Sequence, residues 1–321
     1  SDLWEFWWEN NKDRYLNLKD RLVKTSNVSG SPGLLTGRGR KRNTASSRRP
    51  TRSLIDNEVI PSLQQLLKSA TDADILDSAV LALGRTTDEV LAEDVLEAAL
   101  PLLGHNELSV QSSTALALGV LGSSTAVPTL QDILQNSSSG QRLTGGGNVH
   151  WLVRAFAALS LGLIKDDAGV DALIDVANRL PDTDKDIKIC AIVGMGLIGA
   201  DHPKAGEVHT FLAEQLKNKR LDPLIKSFIP TTLGKLGRHE SAGHLLEAFT
   251  DRDADNLVVQ SCSVGLGQVA QPTDADVIKA LIDYVKEGSD VQTRHFSIIS
   301  LAQIGARDEN ADPDGAFHAD L

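Results

Sequence analysis

Ala82-Leu83-Gly84, Ala117-Leu118-Gly119, Ser160-Leu161-Gly162, Gly194-Met195-Gly196, Thr232-Leu233-Gly234, Gly265-Leu266-Gly267 and Ser300-Leu301-Ala302 are seven versions of one phrase. Its third residue returns after 35, 43, 34, 38, 33 and 35 positions. A period of that size marks a stacked array in which each unit touches only its neighbours, not a core folded around one centre. With the third residue as a marker, other features of the chain can be placed by counting from it.

Each unit resolves into two helices. Upstream of the marker lies a first helix, as in Val127-Pro128-Thr129-Leu130-Gln131-Asp132-Ile133-Leu134, whose apolar residues recur at helical period on one stripe. Ile60, Leu63 and Leu67, then Leu96, Leu100 and Leu103, and later Val170, Leu173 and Ile174 repeat the pattern. So do Val208, Phe211 and Leu212, Leu245, Leu246 and Phe249, and Val277, Leu281 and Ile282. The second helix runs into the marker. Gly122, Gly199, Gly237 and Gly305 stand three residues beyond it, where a helix end favours the left-handed conformation that glycine adopts cheaply. Twelve residues before the marker stand Asp72, Glu107, His150, Asp184, Asp222, Asp255 and Asp290, and a carboxylate there can accept bonds from the free amides of a first turn. Two residues before it every unit has Ala, Ser, Gly or Thr, small enough for neighbouring helices to approach closely.

Composition sets broad limits. The chain has 321 residues, 41% of them apolar and 23% charged, with a formal net charge of -11. That balance gives no global attraction to nucleic acid or to an anionic membrane. No run of about 18 apolar residues occurs, so no membrane-spanning helix is expected. Ser1-Asp2 opens without Met, and residues 316–321 stop within what resembles the start of another helix, so the chain reads as an excised fragment. Cys190 and Cys262 have one whole repeat between them. At roughly 10 Å per helix layer they lie beyond the reach of a disulfide, and both read as small buried core residues.

Eight residues before the marker the chain has Leu76, Gln111, Arg154, Lys188, Lys226, Val259 and Arg294. Stacking would align Arg154, Lys188, Lys226 and Arg294 as a ladder of cations. One reading makes them a stripe for an anionic partner. The other pairs each with its own cap, as Asp184 with Lys188, Asp222 with Lys226 and Asp290 with Arg294, at the i,i+4 spacing that stabilises helices. The second fits the spacing better, because paired charges exert little attraction at a distance.

A two-helix unit with Pro61, Pro101 or Pro128 in the first helix, Asp at the turn, a cation one turn later and Ala-Leu-Gly near the end resembles a HEAT repeat. The resemblance implies an all-α, right-handed α-solenoid of about seven helix pairs, in which Asp and Arg or Lys form a hydrogen-bonded ladder between repeats. The expected layout is an aromatic cap helix over 1–24, a basic low-complexity linker over 25–53, the solenoid over 54–306, and an acidic tail or further repeat over 307–321. In the first segment Trp4, Trp7, Trp8 and Tyr15 suit a cap over the apolar end of the first repeat, as solenoids require. An aromatic anchor for a partner is the alternative. The opening Trp-Glu-Phe-Trp-Trp-Glu also resembles that of uncharacterised bacterial HEAT-repeat proteins, which implies an export signal upstream and a location outside the cytoplasm. Arg38, Arg40, Lys41, Arg42, Arg48, Arg49 and Arg52 could grip a polyanion, yet no aromatic residue is interleaved to stack on bases. The insertion at 136–148 accounts for the long step of 43 and reads as a flexible loop.

Catalytic and metal motifs are sought and not found. His239 and His244 are five apart, so on a helix they diverge by about 140° and cannot share one metal. Gly145-Gly146-Gly147 lacks the Lys-Ser/Thr of a phosphate loop. The expectation is therefore a protein-interaction scaffold, without enzymatic activity, cofactor or metal, whose partner binds the inner face made by second helices. The alternatives are a polyanion binder acting through 38–52 and a lyase of the kind known among short HEAT-like proteins that handle bilin chromophores.

Overall fold

The computed structural model describes residues 52–88 and 90–307. The chain divides into two compact units, Ser1–Val59 and Ile60–Leu321. The described part of the first is a helical turn, Arg52–Leu54, followed by a π-helical stretch, Ile55–Val59. The second unit is all-α among its described residues and contains seven helix pairs.

In chain order the pairs are α1 (Ile60–Ser69) with α2 (Ala73–Thr86), α3 (Ala92–Ala99) with α4 (Leu108–Leu121), and α5 (Val127–Leu134) with α7 (Trp151–Ile164). There follow α8 (Asp167–Arg179) with α9 (Lys185–Leu197), α10 (Ala205–Lys217) with α11 (Pro223–Leu236), α12 (Ser241–Thr250) with α13 (Asn256–Val269), and α14 (Ala275–Glu287) with α15 (Val291–Gly305). A short helix, α6 (Ser138–Leu143), interrupts the third pair. Second helices pack on one another in sequence from α2 to α15, whereas successive first helices touch sparsely. The second-helix layer is therefore the tighter, inner side of the stack.

Helix starts fall where the count from the marker places them. Asp72, Glu107, His150, Asp184, Asp222, Asp255 and Asp290 are the N-cap residues of the seven second helices. Asp222 accepts from the Leu224 and Ile225 amides at 2.8 and 3.3 Å, while Glu107 and Asp184 make no such bond. At the far ends, Gly122, Gly199 and Gly237 have φ near +80°. Gly305 instead remains helical, with Ala306 in the right-handed conformation after it. Lys165, a non-glycine residue, takes the left-handed position at the end of α7 with φ +61°.

The core runs along the joints between second helices. Leu83, Leu118, Leu161, Met195, Leu233 and Leu266, one residue before the first six markers, are at most 1% exposed. Beside them, each marker glycine lies against the small residue two before the next marker. A Cβ on Gly84 would stand 2.6 Å from the Ala117 carbonyl oxygen, and one on Gly267 2.6 Å from Ser300 Oγ. The Ser160 hydroxyl donates to the Ala115 carbonyl at 2.8 Å, and that of Ser300 to the Ser263 carbonyl at 2.8 Å, so two joints carry the same interhelical bond in the same register.

The segment expected as a flexible loop over 136–148 is structured instead. Gly140 in α6 packs on the backbone of Asp132 and Ile133, Ser137 caps α6, and Asn136 Oδ1 accepts from the Val149 amide at 2.9 Å. Asn136 and Gly145 to Gly147 supply the positive φ angles needed to turn the chain back.

Two glycine substitutions test the joint. Gly162→Ala places a methyl on the backbone of Gly194 and should cost about 1–3 kcal/mol despite the better helix propensity of alanine. Gly206→Ala meets nothing within 4 Å and should be neutral or stabilising by up to about 1 kcal/mol. Urea denaturation of the two variants measures the contrast.

Candidate functional site

The cation ladder comes first, because it is the stripe that the marker count singles out. Arg154 Nε donates to the Leu134 carbonyl at the end of α5, 2.9 Å away. Burial lowers its pKa, with the Asp184 carboxylate of the next repeat acting against that and Arg179 adding to it. Lys188, 6% exposed, donates to Asp182 at 2.7 Å, and the other oxygen of Asp182 accepts from the Asp222 amide at 3.1 Å. Asp182 thus ties its own repeat to the next, and the hydrogen bond from Lys188 holds its carboxyl below the usual range. Lys226 is lowered by burial, against the pull of Asp251. Arg294 Nε donates to the Val285 carbonyl at the end of α14, 2.9 Å away.

These partners differ from the expected i,i+4 caps. Lys188 takes Asp182 and not Asp184, and Arg294 takes a carbonyl and not Asp290. The reason is geometric. Asp222 and Asp290 point into the first turns that they cap, Asp290 accepting from both the amide and the hydroxyl of Thr293 at 2.7 Å. One turn up the helix, Arg154 and Arg294 instead reach across to the end of the first helix, where carbonyls lack helical partners.

A different stripe is left in water. On each second helix, positions ten, six and three before the marker share one face and are only partly covered: Leu152, Phe156 and Leu159 on α7, Asp186, Cys190 and Val193 on α9, Leu224, Phe228 and Thr231 on α11. Because Cys190 is short and its neighbours at the same register are Phe156 and Phe228, the middle helix is recessed between two aromatic walls. The resulting notch holds about 300 Å³ and is lined by Trp151, Phe156, Asp186, Cys190, Leu224 and Phe228, among others. Trp151 is 49% and Leu224 39% exposed, although both are large and apolar. Asp186 is the one charged residue lining it among the described residues.

Cys190 is thereby corrected from a buried core residue to a half-buried one at the floor of the notch, while Cys262 is fully buried; both are free thiols. Burial first, and then the Asp186 carboxylate, push the Cys190 thiol up to about 11, so at neutral pH it is a polar-tipped apolar group and not a nucleophile. Burial also raises Cys262.

The histidines go elsewhere. His239 Nε2 meets Asp274 Oδ2 at 2.8 Å, and the His244 ring faces His209 with centroids 5.6 Å apart. His209 is 8% exposed and its Nε2 is buried without a partner among the described residues. Burial lowers its pKa, followed by His244 and Arg238, against Glu240. Trp4, Trp7, Trp8 and Tyr15, and the basic residues from Arg38 to Arg49, lie outside the described residues; Arg52 pairs with Asp56 at 2.6 Å. No described helix is long and apolar enough to cross a membrane.

Comparison with known proteins agrees with this architecture. The family model of HEAT repeats matches residues 60–145, and that of the PBS lyase HEAT-like repeat matches residues 153–179. Over these two stretches the chain carries HEAT repeats. Among solved structures, human deoxyhypusine hydroxylase in complex with glycerol is similar at 15% identity over 79% of this chain and 98% of that one, with a TM-score of 0.34. The complex of CpcE and CpcF of phycocyanin lyase from Nostoc sp. PCC7120 is similar at 15% identity over 83% and 99%, with a TM-score of 0.44. No curated protein matches the chain. The expectation of a chain without enzymatic activity is corrected here, since one of its HEAT repeats is of the type described from a lyase.

Two measurements follow from the geometry. Asp182→Ala leaves the Lys188 ammonium buried and unpaired and should cost about 2 kcal/mol or more, most of it recovered in Asp182→Ala/Lys188→Met. Equal losses in the single and double variants would show that the pair is idle. For His209, the unfolded chain binds a proton more readily than the folded one, so stability is full above pH about 6.5 and declines as pH falls below it. His209→Leu should flatten that decline in melting temperature between pH 7.5 and 5.

Proposed function

We propose that this HEAT-repeat protein is a scaffold that binds a partner protein on its second-helix face, with the notch between α7, α9 and α11 as the principal contact. One observation carries the reading: Trp151, Phe156, Leu224 and Phe228 keep apolar surface in water on the layer whose backbones are packed most closely. Aromatic residues around a recessed pocket are what concentrates binding energy at protein interfaces. Arg154, Lys188 and Arg294 of the cation ladder, by contrast, are engaged with helix ends and with Asp182, which leaves little of it to attract an anionic partner.

A lyase-type activity is a second reading, favoured by a specific placement. The stretch similar to the PBS lyase HEAT-like repeat, residues 153–179, includes Ala155, Phe156 and Leu159 of the α7 wall. In that reading the notch holds a substrate group in place of a partner's side chain.

Crosslinking of the intact protein in its own cells, followed by mass spectrometry, tests the first reading. Phe156→Asp/Phe228→Asp should abolish capture of a partner that the unaltered chain retains, with the melting temperature changed little because both side chains are only half-buried. Undiminished capture would sink it. Titration with a free bilin separates the second: a saturable absorbance change lost in the same variant supports a substrate site, and no change removes it.

A further inference from the structure

The register that holds Cys190 continues beyond the notch. Six residues before the marker the seven repeats carry Ser78, Ser113, Phe156, Cys190, Phe228, Ser261 and Phe296. From the third repeat onward, phenylalanine and a small residue alternate. The second helices lie at near-constant spacing, because each joint is set by a glycine against a small residue. Side-chain size at this one register therefore writes a relief of ridges and recesses, with Phe156, Phe228 and Phe296 as ridges and Cys190 and Ser261 as recesses. Phe156, Cys190, Phe228, Ser261 and Phe296 are all partly exposed, so the relief faces water. Helix layers of about 8–10 Å place the two recesses roughly 20 Å apart. A surface elongated in this way suits a polymer lying across the helices and not one compact ligand.

Charge narrows the occupant. The Asp186 side chain lines the Cys190 recess and enters no ion pair or hydrogen bond among the described residues, although its field reaches the Cys190 thiol. An exposed, unpaired carboxylate lining an otherwise apolar recess, which the half-exposed Trp151 ring also lines, complements a cation: the carboxylate supplies the charge and the indole face a cation–π contact. We propose that the second-helix face binds a peptide segment of a partner protein that carries bulky apolar side chains about 20 Å apart, with a Lys or Arg beside the one that enters the Cys190 recess. The proposal rests on the partner-binding reading above and adds to it the chemistry of the partner.

Dye-labelled peptides and fluorescence anisotropy with the full chain test it. The probe carries two Phe-Lys pairs six residues apart, about 20 Å in an extended chain. One control replaces both lysines by glutamate, and another replaces one phenylalanine by serine. The Phe-Lys peptide should bind at least tenfold more tightly than either control. Asp186→Lys should weaken it at least tenfold and strengthen the Phe-Glu peptide, a charge reversal that misfolding cannot produce. Cys190→Phe should fill the recess and abolish binding. Equal binding of the Lys and Glu peptides, no response to Asp186→Lys, or no binding by any of them overturns the proposal. A concentration-dependent rise in the mass of the chain that Cys190→Phe removes would give the recess to a second copy of this protein and overturn it equally. Were the crosslinked partner lost in Phe156→Asp/Phe228→Asp but indifferent to Asp186→Lys, the binding face would stand and the cationic partner would fall.

Discussion

The close approach of one second helix to the next governs this structure. Two α-helices can bring their backbones this close only where the side chains at the crossing are small, none larger than Thr232 here. Here the marker glycine of one repeat meets the small residue two before the marker of the next. At Gly84, Gly119, Gly162, Gly196 and Gly267 a Cβ would collide with that residue, and at Gly234 it would meet the Gln268 side chain first and press on Gly265. Where the small residue is serine, its hydroxyl reaches the carbonyl four before the preceding marker, as Ser160 does to Ala115 and Ser300 to Ser263. Where it is glycine, the same carbonyl is so near that no Cβ fits, as for Gly194 over Ala158 and Gly265 over Pro230. The seventh marker is Ala302, which carries the Cβ excluded at the other six and lies exposed, so the glycine requirement holds where a further second helix packs among the described residues.

That constraint explains which parts of the fold were legible in the sequence. Anything repeated at fixed distance from the glycine is local to a helix or to one joint, and counting recovers it. The seven N-cap positions, the buried Leu or Met before the marker and the small residues two before it all follow in this way. What counting does not recover is direction. Asp184 and Lys188 have the spacing of an i,i+4 pair, yet Lys188 turns to Asp182, because a buried ammonium takes the carboxylate that also anchors the Asp222 amide of the next repeat. The segment over 136–148 has the Ser, Gly and Asn of a loop, but Gly140 is there because backbone lies against it. Composition cannot distinguish a glycine that permits motion from one that permits contact.

The functional surface was legible only in part, for a related reason. Cys190 and Cys262 stand at nearly the same depth in their repeats, six and five residues before the marker, and a shift of one residue turns a side chain by about 100° around a helix. Cys262 consequently faces the core, and Cys190 faces the notch. Phe156, Phe228 and Phe296 share the register of Cys190, so the alternation was present in the sequence. Its meaning depended on knowing that this register points away from both the next second helix and the first-helix layer. The enzymatic question was beyond the residues for a different reason: the repeat pattern reports how the helices stack, and chemistry depends on what their surface holds.

A rigid stack and an adjustable surface are separable in this design. The residues that set helix spacing, a marker glycine and the small residue two before the next marker, are buried at each joint and cannot change size without moving it. The residues six before the marker lie on the same helices but outside the joints, so replacing Cys190 by a larger side chain, or Phe228 by a smaller one, alters the relief without altering the spacing. Charge follows the same division. Arg154, Lys188 and Arg294 are engaged with helix ends or with Asp182, whereas Asp186 is left unengaged at the notch. A repeat protein built in this way holds its backbone by uniformity and its selectivity by departures from it, and Cys190 and Asp186, between two phenylalanines, form the departure that the third to fifth repeats present to solvent.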